Sequence, residues 1–263
     1  MIRQSMDRRL ITLSIFLILV LFLLNACVVV GGNKGSDKEI ASANVALAAE
    51  YYRLGRLQFA LESVKKALKA EEHSVEANSL AALIYVKLTK LALAQEYFNV
   101  AVEYVLPDTG LYGQVHNNFG VFLCSNNQVP EGEAHFLLAA ENKLYGTPQV
   151  AYENAGLCLL NKPDVKKARE YFKLALAIDP NLRAALLELT QINYDAKNYR
   201  QALTFLRRYH NTNKAAPRSL WLALQVELAL GNKKEARKLL VQLENKFPDS
   251  VEAGAGSELL AFD

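Results

Sequence analysis

The chain has 263 residues, 51% of them hydrophobic, enough to bury a sizeable core in one elongated domain or two compact ones. The formal net charge is +3, of which the first 26 residues supply +2 through Arg3, Arg8 and Arg9 set against Asp7. The remaining body is nearly neutral, which excludes the strongly basic face of a nucleic-acid binder, and its composition is not that of a disordered chain.

The first element is a targeting segment. Residues 1–9 carry three arginines, and Leu10 to Leu24 is an apolar run relieved only by Thr12 and Ser14. A basic region, an apolar stretch and then a small residue is the layout of a secretory signal. Leu24-Asn25-Ala26-Cys27 then resembles the bacterial lipoprotein signal, with leucine three before a cysteine and a small residue directly before it. The resemblance implies that residues 1–26 are removed and that Cys27 carries covalent lipid, the one non-protein group expected. Asn25 departs from the commonest residue at its place. The competing reading is an uncleaved anchor, because Leu10 to Val30 gives 21 mostly apolar residues, long enough to span a bilayer. Val28, not aspartate, follows the cysteine, which by resemblance directs the protein to the periplasmic face of the outer membrane. Residues 27–40, with the Gly- and Lys-rich run GGNKGSDK, read as a flexible tether.

The body is repetitive. Small residues recur at Ala60, Ala94, Gly132, Ala168, Ala202 and Ala236, separated by 34, 38, 36, 34 and 34 residues. Four places on from each stands a bulky apolar residue: Val64, Phe98, Phe136, Phe172, Leu206 and Leu240. Three further on stand Ala67, Ala101, Ala139 and Ala175, replaced in the last two segments by Tyr209 and Leu243. Apolar residues at three and four spacing predict amphipathic helices throughout, and no alternating run reads as strand. Gly55, Asn127, Pro163, Asn198 and Gly231 mark turns in the middle of units, and Pro107, Pro180 and Pro248 fall near their ends.

This pattern resembles the tetratricopeptide repeat, most closely at Gly156, Ala168, Phe172, Ala175 and Pro180. The expected fold is all-α, an α-solenoid of about six helical-hairpin repeats over residues 41–74, 75–108, 113–146, 149–182, 183–216 and 217–250. Insertions around Thr109–Tyr112 and Thr147–Pro148 should lengthen loops. Residues 251–263 form a short tail, in which Val251, Leu259, Leu260 and Phe262 are placed to cover the last hairpin. Gly254 and Gly256 argue against a long capping helix there.

No catalytic signature is present: no phosphate loop, no G-x-S-x-G, no H-E-x-x-H. The protein is expected not to be an enzyme and to hold no metal. His73, His116, His135 and His210 are spread along the chain and read as ordinary helical histidines that cap or face a groove. After Cys27 only Cys124 and Cys158 remain. An oxidising periplasm permits a disulfide between them. The separation of packed helices, about 8–10 Å, favours two buried small apolar residues instead.

Tyr52, Val86, Asn117, Val121, Leu157, Leu160, Tyr194 and Trp221 fall at repeat places that line the concave groove in this repeat family, where a peptide or helix of a partner is often bound. The lysine and asparagine clamp for C-terminal carboxylates is not matched; valines, Ser79 and Asn117 stand there. Lipoprotein signal, tether and six repeats together resemble the type IV pilus biogenesis lipoproteins, the secretin pilotins (the PilF/PilW family). The resemblance is carried by Asn117-Asn118-Phe119-Gly120, Tyr152-Glu153-Asn154-Ala155-Gly156-Leu157 and Lys167-Ala168-Arg169-Glu170-Tyr171-Phe172. It implies a protein that binds pilus secretin subunits, localises them to the outer membrane and supports their multimerisation, with no nucleic acid and no small-molecule substrate. The alternative is an envelope lipoprotein that acts as adaptor for peptidoglycan enzymes or proteases, or in outer-membrane protein assembly.

Overall fold

The structure, a computed structural model, describes residues 34–161 and 164–261. The targeting segment and Cys27 lie outside them. Within the described residues the chain forms thirteen helices and no strand. These are α1 (Lys34–Arg53), α2 (Leu57–Ala70), α3 (Val75–Lys87), α4 (Leu91–Tyr104), α5 (Gly110–Ser125), α6 (Val129–Glu141), α7 (Pro148–Leu160), α8 (Val165–Ile178), α9 (Arg183–Asp195), α10 (Tyr199–Thr212), α11 (Pro217–Ala229), α12 (Lys233–Lys246) and α13 (Val251–Ala261). None of them is long and apolar enough to cross a membrane.

The helices pair as hairpins, α1 with α2 through α11 with α12, and each later first helix stacks on the hairpin before it. The small residues explain how close the pairs come. Ala60, Ala94, Ala168, Ala202 and Ala236 are fully buried, as are Phe98 and Phe172. In the third and fourth hairpins the fit is tightest. A Cβ on Gly120 would lie 2.8 Å from the Phe136 ring, and one on Gly156 would lie 2.6 Å from the Phe172 ring. Glycine is required there because the facing ring already fills the space of a side chain. Two large apolar cores result, with smaller clusters around Ala101, Val105 and Val115 and around Leu220, Leu243 and Ala253. One runs through the first two hairpins to Phe119, Phe122 and Leu123 on α5, where Phe98 packs on both phenylalanines, its ring 5.2 and 5.3 Å from theirs. The other runs from Cys124 through to Val226 on α11.

The turns inside the hairpins share one device. Two residues past the end of α1, α3, α5, α9 and α11 the backbone turns left-handed, at Gly55, Thr89, Asn127, Lys197 and Gly231. The next amide then donates back to the last turn: Arg56 N to Tyr51 O, Lys90 N to Tyr85 O, Gln128 N to Leu123 O, Asn198 N to Asn193 O and Asn232 N to Glu227 O, all at 2.8–2.9 Å. This is the Schellman pattern, which satisfies carbonyls that a helix end leaves open. In the fifth unit the left-handed place is taken by Lys197, while Asn198, the residue expected to make the turn, is the N-cap of α10. Pro163 lies outside the described residues.

Three expectations are corrected. Residues 34–40, assigned to the tether, are the first turns of α1, because a helix already packed over Ala41 and Ala48 extends into a polar stretch at little cost. The insertion at Thr109–Tyr112 only slightly lengthens a loop. Thr109 caps α5 by accepting from Tyr112 N, and residues 110–112 add almost a turn of helix. Similarly Thr147 is the N-cap of α7 and Pro148 its first residue. At the C-terminus Gly254 and Gly256 sit inside a helix of 11 residues. Packing overrides propensity, since a Cβ on Gly256 would lie 2.7 Å from Leu240. Ala253, not Val251 or Leu259, is the buried contact; the latter two are exposed.

Candidate functional site

The first helix of each hairpin carries the residues that the repeat pattern assigns to the inner face. Of the eight, Val121 is exposed, Asn117 is buried, and Tyr52, Val86, Leu157, Leu160, Tyr194 and Trp221 are half-buried. Tyr52 and Val86 pack on the N-terminal core, and Leu157, Leu160 and Tyr194 on the larger one. The residues therefore divide. Most present one side to solvent and give the other to the fold.

Val121 and Leu157 come together. They line a depression of about 350 Å³ between α5 and α7 with Ser125, Asn154, Asn161, Cys124 and Cys158. Its walls are apolar, and its polar groups are amides and a hydroxyl with no net charge. Asn154 Nδ2 donates to Asn117 Oδ1 at 2.9 Å, which ties α7 to α5 and fixes both side chains. Ser125 Oγ is turned back onto Val121 O. Such a surface suits a segment of chain that offers apolar side chains and a few hydrogen-bonding groups.

Beneath it Cys124 and Cys158 form a disulfide, with Cα atoms 5.6 Å apart. The expectation of two separate thiols is overturned. Helix axes about 10 Å apart place facing Cα atoms only about 5 Å apart, because each lies about 2.3 Å off its own axis. Gly132 helps, since it packs against Cys124 with no side chain of its own. The bridge joins the third and fourth units on the groove side.

Polar links continue along the first helices. Glu153 Oε1 on α7 accepts from Ala185 N at 2.8 Å and so caps α9, whose own N-cap residue, Leu182, has no acceptor side chain. Burial pushes the Glu153 carboxyl up, and the amides it accepts from pull it partly back. Arg218 at the start of α11 grips Glu188 on α9 through two contacts of 2.6 and 3.0 Å. The sequence pattern alone did not single out these acids. Their common signal is an acid on one first helix facing the opening turn of the next.

The histidines do not stand apart as expected. His116 on α5 and His135 on α6 meet Nδ1 to Nδ1 at 2.6 Å, flanked by Tyr112 and Phe119. Burial, with the neighbouring ring second, pulls His116 down to about 4, and burial lowers His135 as well. Both rings are then neutral at pH 7, one Nδ1 donating and the other accepting. Two nitrogens in direct hydrogen bond leave no room between them for a metal ion, and no group of three or more metal-ligating side chains occurs among the described residues.

Residues 150–182 match the tetratricopeptide repeat. Over 220 residues the chain is 26% identical to the type IV pilus assembly protein PilF of Pseudomonas aeruginosa, spanning 84% of this chain and 85% of that one. It is 29% identical over 137 residues to an uncharacterised protein of Haemophilus influenzae, across 52% of this chain and 74% of that one. The crystal structure of PilW, a widely conserved type IV pilus biogenesis factor, superposes with a TM-score of 0.72 at 30% identity, over 82% of this chain and 97% of PilW. The chain belongs to the tetratricopeptide-repeat proteins homologous to PilF and PilW. The solved PilF structure, at 24% identity, agrees in fold with a TM-score of 0.75 and is covered completely. The PilF/PilW fold is thus matched over nearly its whole length, with the α5–α7 depression inside the matched solenoid.

Proposed function

We propose that this protein is a lipoprotein of the outer membrane that acts in type IV pilus biogenesis by binding secretin subunits and supporting their multimerisation. It works by binding and anchoring, and performs no reaction of its own. The observation that carries the reading is the 30% identity to PilW across 97% of that chain. A groove with apolar walls, uncharged polar groups and a cross-linked floor supports a role in holding a segment of another protein. Lipid on Cys27 would confine the solenoid to the membrane surface, raise its effective concentration there and carry a bound subunit with it.

The test is a deletion strain examined for heat-stable secretin multimers and surface pili. Both should be lost, and both should return with the full-length gene. A strain that keeps its multimers and pili without the protein overturns the proposal.

A further inference from the structure

The N-terminal end of the solenoid is an open repeat interface. Each later first helix buries one place against the preceding hairpin: Ala81, Phe119, Ala155, Leu189 and Ala223 occupy it in turn, and Leu189 is 0% exposed. The residue at the same place in the first unit is Leu47, 47% exposed, with no hairpin before it among the described residues. Ile40 on α1 and Leu54, just past its end, stand seven residues to either side of it, and both are exposed. Phe59 on α2 is also exposed and lies beside Tyr51 at 5.4 Å. Terminal units of a solenoid ordinarily carry a polar outer face, because an apolar one invites association. Ile40, Leu47 and Leu54 thus form an apolar face that the described residues leave uncovered.

We infer that the cover is the bilayer surface itself, and that α1 lies along it. This rests on the proposal that Cys27 is lipidated. Six residues separate Cys27 from Lys34, the first residue of α1. A tether of that length spans at most about 25 Å when fully extended, less than the helix it leads to, which is about 30 Å long. In sequence, three of its residues, Val28 to Val30, are apolar. The open face is thus held within reach of the membrane at all times. α1 carries Lys34, Lys38 and Arg53 against Asp37, Glu39 and Glu50, so it has no net charge that would repel a headgroup layer, and Glu50 is paired with Arg53 at 2.6 Å. An amphipathic helix in this position seats its apolar side about 5–10 Å into the boundary between headgroups and acyl chains.

The experiment uses the full-length chain, purified from membranes and reconstituted in vesicles of phosphatidylethanolamine and phosphatidylglycerol. Leu47→Cys is labelled with an environment-sensitive fluorophore, and the vesicles contain lipid with a nitroxide on its acyl chain. Ile40→Cys is a second reporter, and Leu174→Cys, exposed on α8, is the control. The mass of the N-terminal peptide shows whether Cys27 is acylated. With acylated protein, quenching at residues 47 and 40 should exceed that at residue 174 several-fold. Equal, weak quenching at all three sites in acylated protein overturns the inference and leaves the anchor intact. Disulfide-linked dimers through Leu47→Cys would mean that a second copy covers the face, and would overturn it too. A peptide without lipid overturns the anchor proposal, and this inference falls with it.

Discussion

Cys124 near the end of α5 and Cys158 on α7 are bonded across two repeats, their Cα atoms 5.6 Å apart and 34 residues apart in sequence. Neighbouring hairpins of the described solenoid are otherwise held by packing, hydrogen bonds and an ion pair, so the covalent bond makes one junction far harder to open than the others. Closing a loop of about 35 residues removes about 3–4 kcal/mol of unfolded-state entropy. Replacing both cysteines by serine should lower stability by about that amount in urea denaturation. The same loss should appear when the native chain is unfolded in reductant, with no further effect of reductant on the variant. Equal midpoints for variant and native protein would show that the bond adds no stability.

Acid should weaken the third unit. His116 titrates near 4 in the folded protein, against an ordinary value of about 6.5. Between those two values the unfolded chain binds more protons than the folded one, so stability rises with pH and is fully present above about pH 6.5. It is lost as pH falls toward 4. His116 alone should contribute a loss of about 2 kcal/mol between pH 7 and pH 5. His135, lowered in the same direction, adds to it. A His116→Leu, His135→Leu variant should show a much flatter stability profile over this range, measured by denaturation at each pH. An unchanged slope would mean that the rings are not kept neutral.

The helices and hairpin register were legible because they rest on a strong local signal, a small residue and a large one at fixed spacing, repeated six times. Ala168 and Phe172 carry that signal, and both are fully buried. What could not be read was side-chain pairing between helices, within a unit or across two. Sequence spacing does not reveal that Cys124 and Cys158 point toward each other, that His116 meets His135, or that Glu153 caps a helix 32 residues on. The first and last depend on the rotation between successive hairpins, which arises from packing of the whole stack, and the histidine pair on the rotation of α5 against α6 within one hairpin. The tail was misread for the opposite reason: glycine propensity is a weak local term, and the contact of Gly256 with Leu240 outweighs it.

Two glycines should fail for different reasons. Gly231 has φ of +80° and open space around it, so alanine there meets only backbone strain, worth about 1 kcal/mol. Gly156 faces the Phe172 ring, so its alanine variant overpacks the hairpin at a cost of about 1–3 kcal/mol. A double-mutant cycle separates them. Phe172→Leu should relieve Gly156→Ala and leave the cost of Gly231→Ala unchanged. Strict additivity at residues 156 and 172 would show that the ring is not the obstacle.

The depression between α5 and α7 is the place to separate binding from folding. Val121 is 43% exposed, lines the depression and makes no core contact that a larger residue would break. Val121→Glu puts a charge where an apolar side chain of a bound segment would sit, and that charge keeps its water only if the segment stays away. Folded stability should change by less than about 0.5 kcal/mol, as for an ordinary surface substitution. Affinity for purified secretin subunits, the partner proposed above, should fall by about tenfold or more, since burying one unpaired charge costs more than the 1.4 kcal/mol that a factor of ten represents. Leu174→Glu, equally exposed but on α8, is the matched control and should bind normally. If both variants bind as the native protein does, the partner sits elsewhere on the solenoid; if both lose affinity together, the effect is charge and not place.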